Sequence, residues 1–329
     1  MKRVQKCEQR STAGLPGATT TMAVKGGKDI PSAPSGTVKE LVTSSEVWKA
    51  CAVVVVQLMA LRKVADGIGL WNTPSSSATA RLGEGGKNED DPFAECSFYL
   101  PLIATTAYVF CVLAGKRAMR NREAWDVKQY MIVYNLYQTA LNAYAVYTFI
   151  AEIIRRRMNI IGNPYAAGPH EFKLGFLLYV HYNNKYIELL DTFFMVVRKK
   201  NKQISFLHVY HHTLLIWSWF LVMKYNCGGD AYFGALANSF VHVIMYSYYL
   251  MALLKLRCPW KKYVTQVQLA QFVICFAQAL TVLYIGTVPA WLTCVQIFVM
   301  INMLVLFGNF YTKNYRARSA ATLATKKHL

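Results

Sequence analysis

The chain is short of acidic residues: 17 Asp and Glu stand against 36 Lys and Arg in 329 residues, a formal net charge of +19. Charge of either sign is scarce, at 16%, where an ordinary soluble chain carries about 25%. Apolar residues fill the deficit, at 54%. That balance excludes a soluble enzyme and a disordered tail protein, and leaves an integral membrane protein. None of the cysteines forms a Cys-x-x-Cys pair, which argues against a zinc site or a disulfide framework; several lie inside apolar runs, where a thiol behaves as a small hydrophobe. Cys96 and Cys227 are the one pair that could meet, if both face an oxidising lumen. There is no Asn-x-Ser/Thr sequon, and no apolar h-region follows Met1, so a cleaved signal peptide is not expected. The basic excess sits at the ends of apolar runs, where anchoring and topology explain it better than nucleic-acid binding does.

Residues 1–92 read as a basic, largely disordered region rich in Lys, Gly, Ser, Thr and Pro. Within it, residues 47–61 are apolar, but as a helix they would reach only about 22 Å. The hydrocarbon core is about 30 Å thick, so a peripheral helix is expected there, with an extra span as the alternative. From Phe93 onward come seven apolar segments of 20 residues or more: 93–115, 129–154, 174–197, 204–223, 231–254, 266–286 and 291–311. Barrel strands would be about ten residues long, so length decides for transmembrane helices. The expected fold is an all-α integral membrane protein with a seven-helix domain over 93–312 and a tail over 313–329.

Lys and Arg choose the orientation. The connectors after the first, third, fifth and seventh segments hold more than three times as many as the opposite set. The positive-inside rule therefore puts the C-terminus in the cytosol and the start of the seven-helix domain in the lumen. The run Arg155–Arg157 opposes this, and only interfacial snorkelling accounts for it.

Ionisable groups inside a span are costly and mark function by default. Lys185, Glu188 and Asp191 share one stripe of the third segment, and His208, His211 and His212 share one of the fourth. His242, Met245, Tyr246 and Tyr249 form a stripe on the fifth, and Thr265, Gln268 and Gln271 one on the sixth. Counted from the cytosolic ends, these groups lie at depths of about 5–20 Å. Four sequence-distant stripes in one slab point to a single polar chamber open to the cytosol. His181 and His170 read as structural and solvated, respectively. The histidine cluster admits two chemistries. It could hold a metal with Glu188 and Asp191, as a desaturase or hydroxylase would, although those enzymes use more histidines than the seven here. Alternatively, a neutral imidazole attacks a thioester. A transporter would explain the chamber but not three histidines on one turn.

KYIELLDT (185–192), HVYHH (208–212), HVIMYSYY (242–249) and TQVQLAQ (265–271) resemble, in order and spacing, the four signatures of the ELO family of very-long-chain fatty acid elongases. KRAMRNREAW (116–125) and RKKNKQISFL (198–207) extend the resemblance, which runs from about residue 93 to residue 311. The resemblance implies seven helices, six of them around a closed-ended acyl tunnel. It also implies condensation of acyl-CoA with malonyl-CoA to 3-oxoacyl-CoA, CO2 and CoA, with no cofactor or metal. His211 would carry the acyl group, assisted by His208 and His212, with His242 across the chamber near the decarboxylation. Lys185, Glu188, Asp191, Tyr246, Gln268 and Gln271 would support them, the first three by orienting His211. Arg198, Lys199, Lys200, Lys202, Lys261 and Lys262 would hold CoA. The terminal KKHL resembles a dilysine signal for the endoplasmic reticulum membrane. Gln203 and the HVYHH form of the box look more like elongases of polyunsaturated or very long chains. The reductases and dehydratase of the elongation cycle, and a second copy in a homodimer, are the partners to expect.

Overall fold

The computed structural model describes residues 96–165 and 171–327, with side chains described as far as residue 313. Region 1–92 with its 47–61 segment, His170 and the last residues of KKHL lie outside the described residues. Eight α-helices and no strand occur among those described: α1 Tyr99–Ala118, α2 Lys128–Arg156, α3 Phe172–Ile187, α4 Leu190–Val197, α5 Phe206–Tyr225, α6 Ala231–Leu253, α7 Val264–Ile285 and α8 Ala290–Lys327. They make seven rods at the seven expected segments, because α3 and α4 are one rod interrupted at Glu188–Leu189. Helix α8 does not stop with its apolar segment and continues through the expected tail.

The bundle is apolar outside and polar within. Ile103, Phe110, Val133, Tyr147 and Val305 face outward and are each more than 60% exposed. Asn135, Gln138, Asn142, Asn184, Lys185, Glu188 and Gln278 are buried. In water such a surface would aggregate; against lipid it is the expected one. By length and composition, α1, α6, α7 with the short turn before it, and α8 as far as Lys313 are able to cross a membrane. The other three rods hold most of the buried polar residues, which lowers their apolar content without shortening them.

Six rods close a ring of contacts in the order α2, α3–α4, α5, α8, α7, α6 and back to α2, while α1 packs outside against α4 and α5. At one end, the ring is tied by Asp230, just before α6. Its carboxylate accepts from the backbone N–H of Gly162 (3.0 Å) and of Asn163 (2.9 Å), from Asn163 Nδ2 (2.9 Å) and from the Thr287 hydroxyl. The α2–α3 and α7–α8 connectors are thereby latched together. Gly229 is required there, since a Cβ would lie 2.5 Å from Asn163 O and 2.7 Å from Tyr165 N. Gly286 ends α7 in the left-handed conformation at φ 80°.

The Arg155–Arg157 run finds a better account than snorkelling. Arg155 pairs with the buried Glu152, which Lys173 also approaches at 3.2 Å, and Arg156 pairs with Glu171. Two of the three cations of that run are therefore held by carboxylates of the bundle. Cys96 and Cys227 are both thiols and form no disulfide; the Cys227 thiol lies 3.6 Å from Gly175 O.

Candidate active site

Two local devices aim the polar stripes inward. At Glu188–Leu189 the backbone tightens to three-residue hydrogen bonds, Leu189 N to Tyr186 O (3.2 Å), Asp191 N to Glu188 O (3.1 Å) and Thr192 N to Leu189 O (3.1 Å). This 3₁₀ turn separates α3 from α4 and sends Glu188 and Asp191 to different neighbours. At the start of α5, Ser205 is an N-cap whose Oγ accepts from His208 N at 3.3 Å. The histidine box therefore occupies the first two turns of a capped helix.

Glu188 is the hub of the deeper network. One carboxylate oxygen, Oε1, accepts from Lys185 Nζ at 2.7 Å and from Asn184 Nδ2 at 3.1 Å. Asn184 Nδ2 also donates to Gln138 Oε1 on α2 (2.9 Å). Lys185 Nζ donates in turn to Asn238 Oδ1 on α6 at 2.8 Å. An ammonium can only donate, so the Asn238 oxygen must face Lys185 and its amide nitrogen must face the other way. That nitrogen lies 3.3 Å from His242 Nε2, which is therefore the acceptor. The His242 proton then belongs on Nδ1, which lies 3.2 Å from Glu188 Oε1. A lysine thus sets the tautomer of a histidine through an asparagine.

Asp191 serves a separate group. Tyr246 Oη donates to its Oδ2 at 2.8 Å, and Tyr134 Oη lies 3.5 Å from Tyr246 Oη. Next to Asp191, Thr192 Oγ1 bonds His208 Nε2 at 2.8 Å and Tyr108 Oη at 2.9 Å, which fixes the first histidine of the box. The rings of His208 and His212 lie 4.6 Å apart and those of His211 and His212 5.5 Å apart. His211 Nδ1 lies 3.1 Å from the Met303 sulfur on α8, and its ring meets Phe307 edge-on at 5.6 Å. Among the described residues, none of Lys185, Glu188 and Asp191 hydrogen-bonds directly to His211, which they were expected to orient. All three are directed to α6, Lys185 and Glu188 to Asn238 and His242, and Asp191 to Tyr246.

Two cavities meet at this point. A chamber of about 1580 Å3 is lined by His208, His211, His212, His242, Asp191 and Tyr246, among others, and Gln268 and Gln271 also reach it. Arg198, Lys202, Lys261 and Lys262 line it too, so it is strongly basic at that end. Lys199 and Lys200 do not line it. Lys199 instead donates to the carbonyls of Arg120 (3.2 Å) and Arg122 (2.9 Å) and secures the α1–α2 connector. A narrow, largely apolar cavity of about 90 Å3 extends from His211 past Trp219, Val295 and Met303 to Asp230 and Val288. His211, Asn238, Gln271 and Phe272 line both.

All four stripes read from the sequence thus reach one chamber; Lys185 is the exception within them, standing behind it as Glu188's partner. The residues that pattern reading missed are Gln138, Asn184, Asn238 and Met303. Asn184 and Asn238 precede Glu188 and His242 by four residues, one helical turn, so an i−4 rule would have found them. Met303 gives no such signal, because a methionine in an apolar helix reads as packing. Among the described residues, no three His, Cys, Asp or Glu side chains are grouped to hold a metal ion.

Residues 93–323 match the family described as ELO: GNS1/SUR4 family. The chain is 37% identical over 237 residues to a protein of Tachysurus fulvidraco named very long chain fatty acid elongase 5, covering 70% of this chain and 80% of that one. The protein of the same name from Xenopus tropicalis is 38% identical over 68% and 78% of the two chains. That from Homo sapiens is 37% identical over 70% and 79%.

Proposed function

The chain belongs to the ELO (GNS1/SUR4) family, and we propose that it is a fatty acid elongase, a 3-oxoacyl-CoA synthase that condenses acyl-CoA with malonyl-CoA. One observation carries the chemistry: His211 stands where a basic, polar chamber meets a narrow apolar cavity. A CoA thioester needs such a junction, with its phosphates among Arg198, Lys202, Lys261 and Lys262 and its acyl tail in the narrow cavity. On this reading the narrow cavity belongs to the acyl tunnel, with Asp230 among its lining residues.

In the first half-reaction, His211 attacks the thioester carbonyl, the C–N bond forms, and the C–S bond breaks with its electron pair leaving on the CoA thiolate. The thiolate takes its proton from water at the chamber mouth. In the second, malonyl-CoA loses CO2, and the electrons of that C–C bond become an enolate that attacks the acyl carbon. The acyl–nitrogen bond breaks, and 3-oxoacyl-CoA and neutral His211 result. Donors near the enolate oxygen lower this barrier; Tyr246, Gln268 and the flanking histidines line the chamber where it forms. His242, across that chamber on α6, serves the decarboxylation. The chemistry requires no metal or cofactor.

The protein acts in the endoplasmic reticulum membrane, with the chamber facing the cytosol and the KKHL terminus beside it, and hands its product to the reductases and dehydratase of the cycle. It is a homodimer. Long-chain polyunsaturated or very long acyl chains are its substrates, a reading that HVYHH with Gln203 supports.

The test is to incubate the purified protein with acyl-CoA alone, read intact and peptide mass, then add labelled malonyl-CoA over a panel of acyl-CoAs. The expected results are an acyl adduct on His211, lost in His211→Ala, and 3-oxoacyl-CoA formed best from polyunsaturated donors. Unchanged turnover in His211→Ala refutes the assignment. Activity that tracks stoichiometric iron and dies on chelation means a metal-dependent oxygenase instead.

A further inference from the structure

We infer that Met303 is a positioning residue that holds His211 as the Nδ1–H tautomer and thereby presents Nε2 as the attacking atom. This rests on the elongase reading above for its consequence, but its geometry stands apart. His211 Nδ1 lies 3.1 Å from the Met303 sulfur, and Met303 is fully buried. A thioether has no proton to give and can only accept. The hydrogen bond therefore requires the proton on Nδ1, and the lone pair stays on Nε2. Among the described residues, no other hydrogen bond reaches the His211 ring. Phe307, on the same helix as Met303, meets the ring edge-on at 5.6 Å, and the neighbouring ring of His212 lies at 5.5 Å, so α8 supplies one ring contact as well as the hydrogen bond.

A thioether acceptor also suits the acylated ring. When Nε2 takes the acyl group, the ring becomes an acyl-imidazolium that keeps its Nδ1 proton. A carboxylate at Met303 would draw that proton toward itself and leave a less activated acyl group; a sulfur acceptor is far too weak a base to take it. Charge is then balanced when the malonyl-derived enolate attacks and neutral imidazole is released, with the proton never having moved. In His242 the same tautomer is set differently, by Asn238 facing Nε2, so that its lone pair is engaged. Of the two histidines, only His211 has Nε2 free of a hydrogen-bond partner among the described residues.

The test uses the full-length protein in detergent, labelled with 15N-histidine, with the His211 signals assigned by their loss in His211→Ala. Nitrogen shifts separate protonated from unprotonated ring nitrogens, and the wild type is expected to show the proton on Nδ1. Met303→Leu keeps the volume and removes the acceptor. It is expected to give a mixed tautomer and to slow single-turnover acyl transfer by about tenfold, the usual scale for losing a supporting partner, with apparent affinity for acyl-CoA unchanged. A proton on Nε2 in the wild type overturns the inference, and it does so whether or not the variant folds. So does a Met303→Leu protein whose proton position or transfer rate is unaltered. An adduct on a His211 protonated at Nε2 would sink this inference and leave the elongase reading intact. A correct tautomer with no adduct from any donor would do the reverse.

Discussion

Lys185→Met leaves Glu188 buried without its cation. Both side chains are 1% exposed and the Nζ–Oε1 distance is 2.7 Å; Asn184 Nδ2 at 3.1 Å and His242 Nδ1 at 3.2 Å are then the neutral groups left facing the carboxylate. Removing one partner of a buried pair costs about 3–5 kcal/mol, because the remaining charge is stranded. For a domain of this size that lowers the unfolding midpoint by roughly 6–20 °C. Removing both charges, in Lys185→Met/Glu188→Leu, strands neither, and apolar replacements of buried pairs are often neutral or better. The double variant is therefore expected to regain most of the lost midpoint in detergent. Its activity should stay lost, since the lysine that orients Asn238, and through it His242, is gone. Thermal unfolding by intrinsic fluorescence gives the stabilities, and labelled malonyl-CoA incorporation gives the turnover. A double variant no more stable than Lys185→Met, or one that condenses normally, would refute the network as drawn.

The basic mouth makes a split prediction. Lys262→Gln and Arg198→Gln raise the KM for CoA substrates in a salt-dependent way, while Lys199→Gln leaves KM alone because that ammonium faces the α1–α2 connector; KM measured at two ionic strengths checks it. Asp230→Ala removes an acceptor shared by two backbone amides, an asparagine and a threonine. It should lower stability by about 3 kcal/mol, read as a lower midpoint together with faster proteolysis in the 157–165 connector.

Much of this site could be read from the chain. Charge scarcity and run length gave the rods, and three- and four-residue spacing grouped Glu188, Asp191, the histidines, His242 and Gln271 before any coordinates. What could not be read was direction. A helical stripe at 185–191 reads as one face, yet the backbone tightens at Leu189: Lys185 and Glu188 meet Asn238 and His242, while Asp191 meets Tyr246 one turn further along the same helix. Hydropathy sees composition, not hydrogen-bond register, so the break is silent in it. The basic mouth shows the same limit: Arg198 through Lys202 are one basic cluster in sequence, but a tight turn with Lys199 at φ 55° points its members different ways. The partners of Arg155 and Arg156, Glu152 and Glu171, likewise emerge only once the chain has folded.

Helix α8 begins beside the latched end of the ring and runs 38 residues without interruption, about 57 Å at 1.5 Å per residue. The hydrocarbon layer takes up only about 30 Å of that. Nearly all of the surplus must emerge on the opposite face, next to the basic mouth of the chamber, which Phe307, Phe310 and Tyr311 of the same helix line. One helix thus both walls the chamber and carries the chain beyond the lipid on the side where that chamber opens.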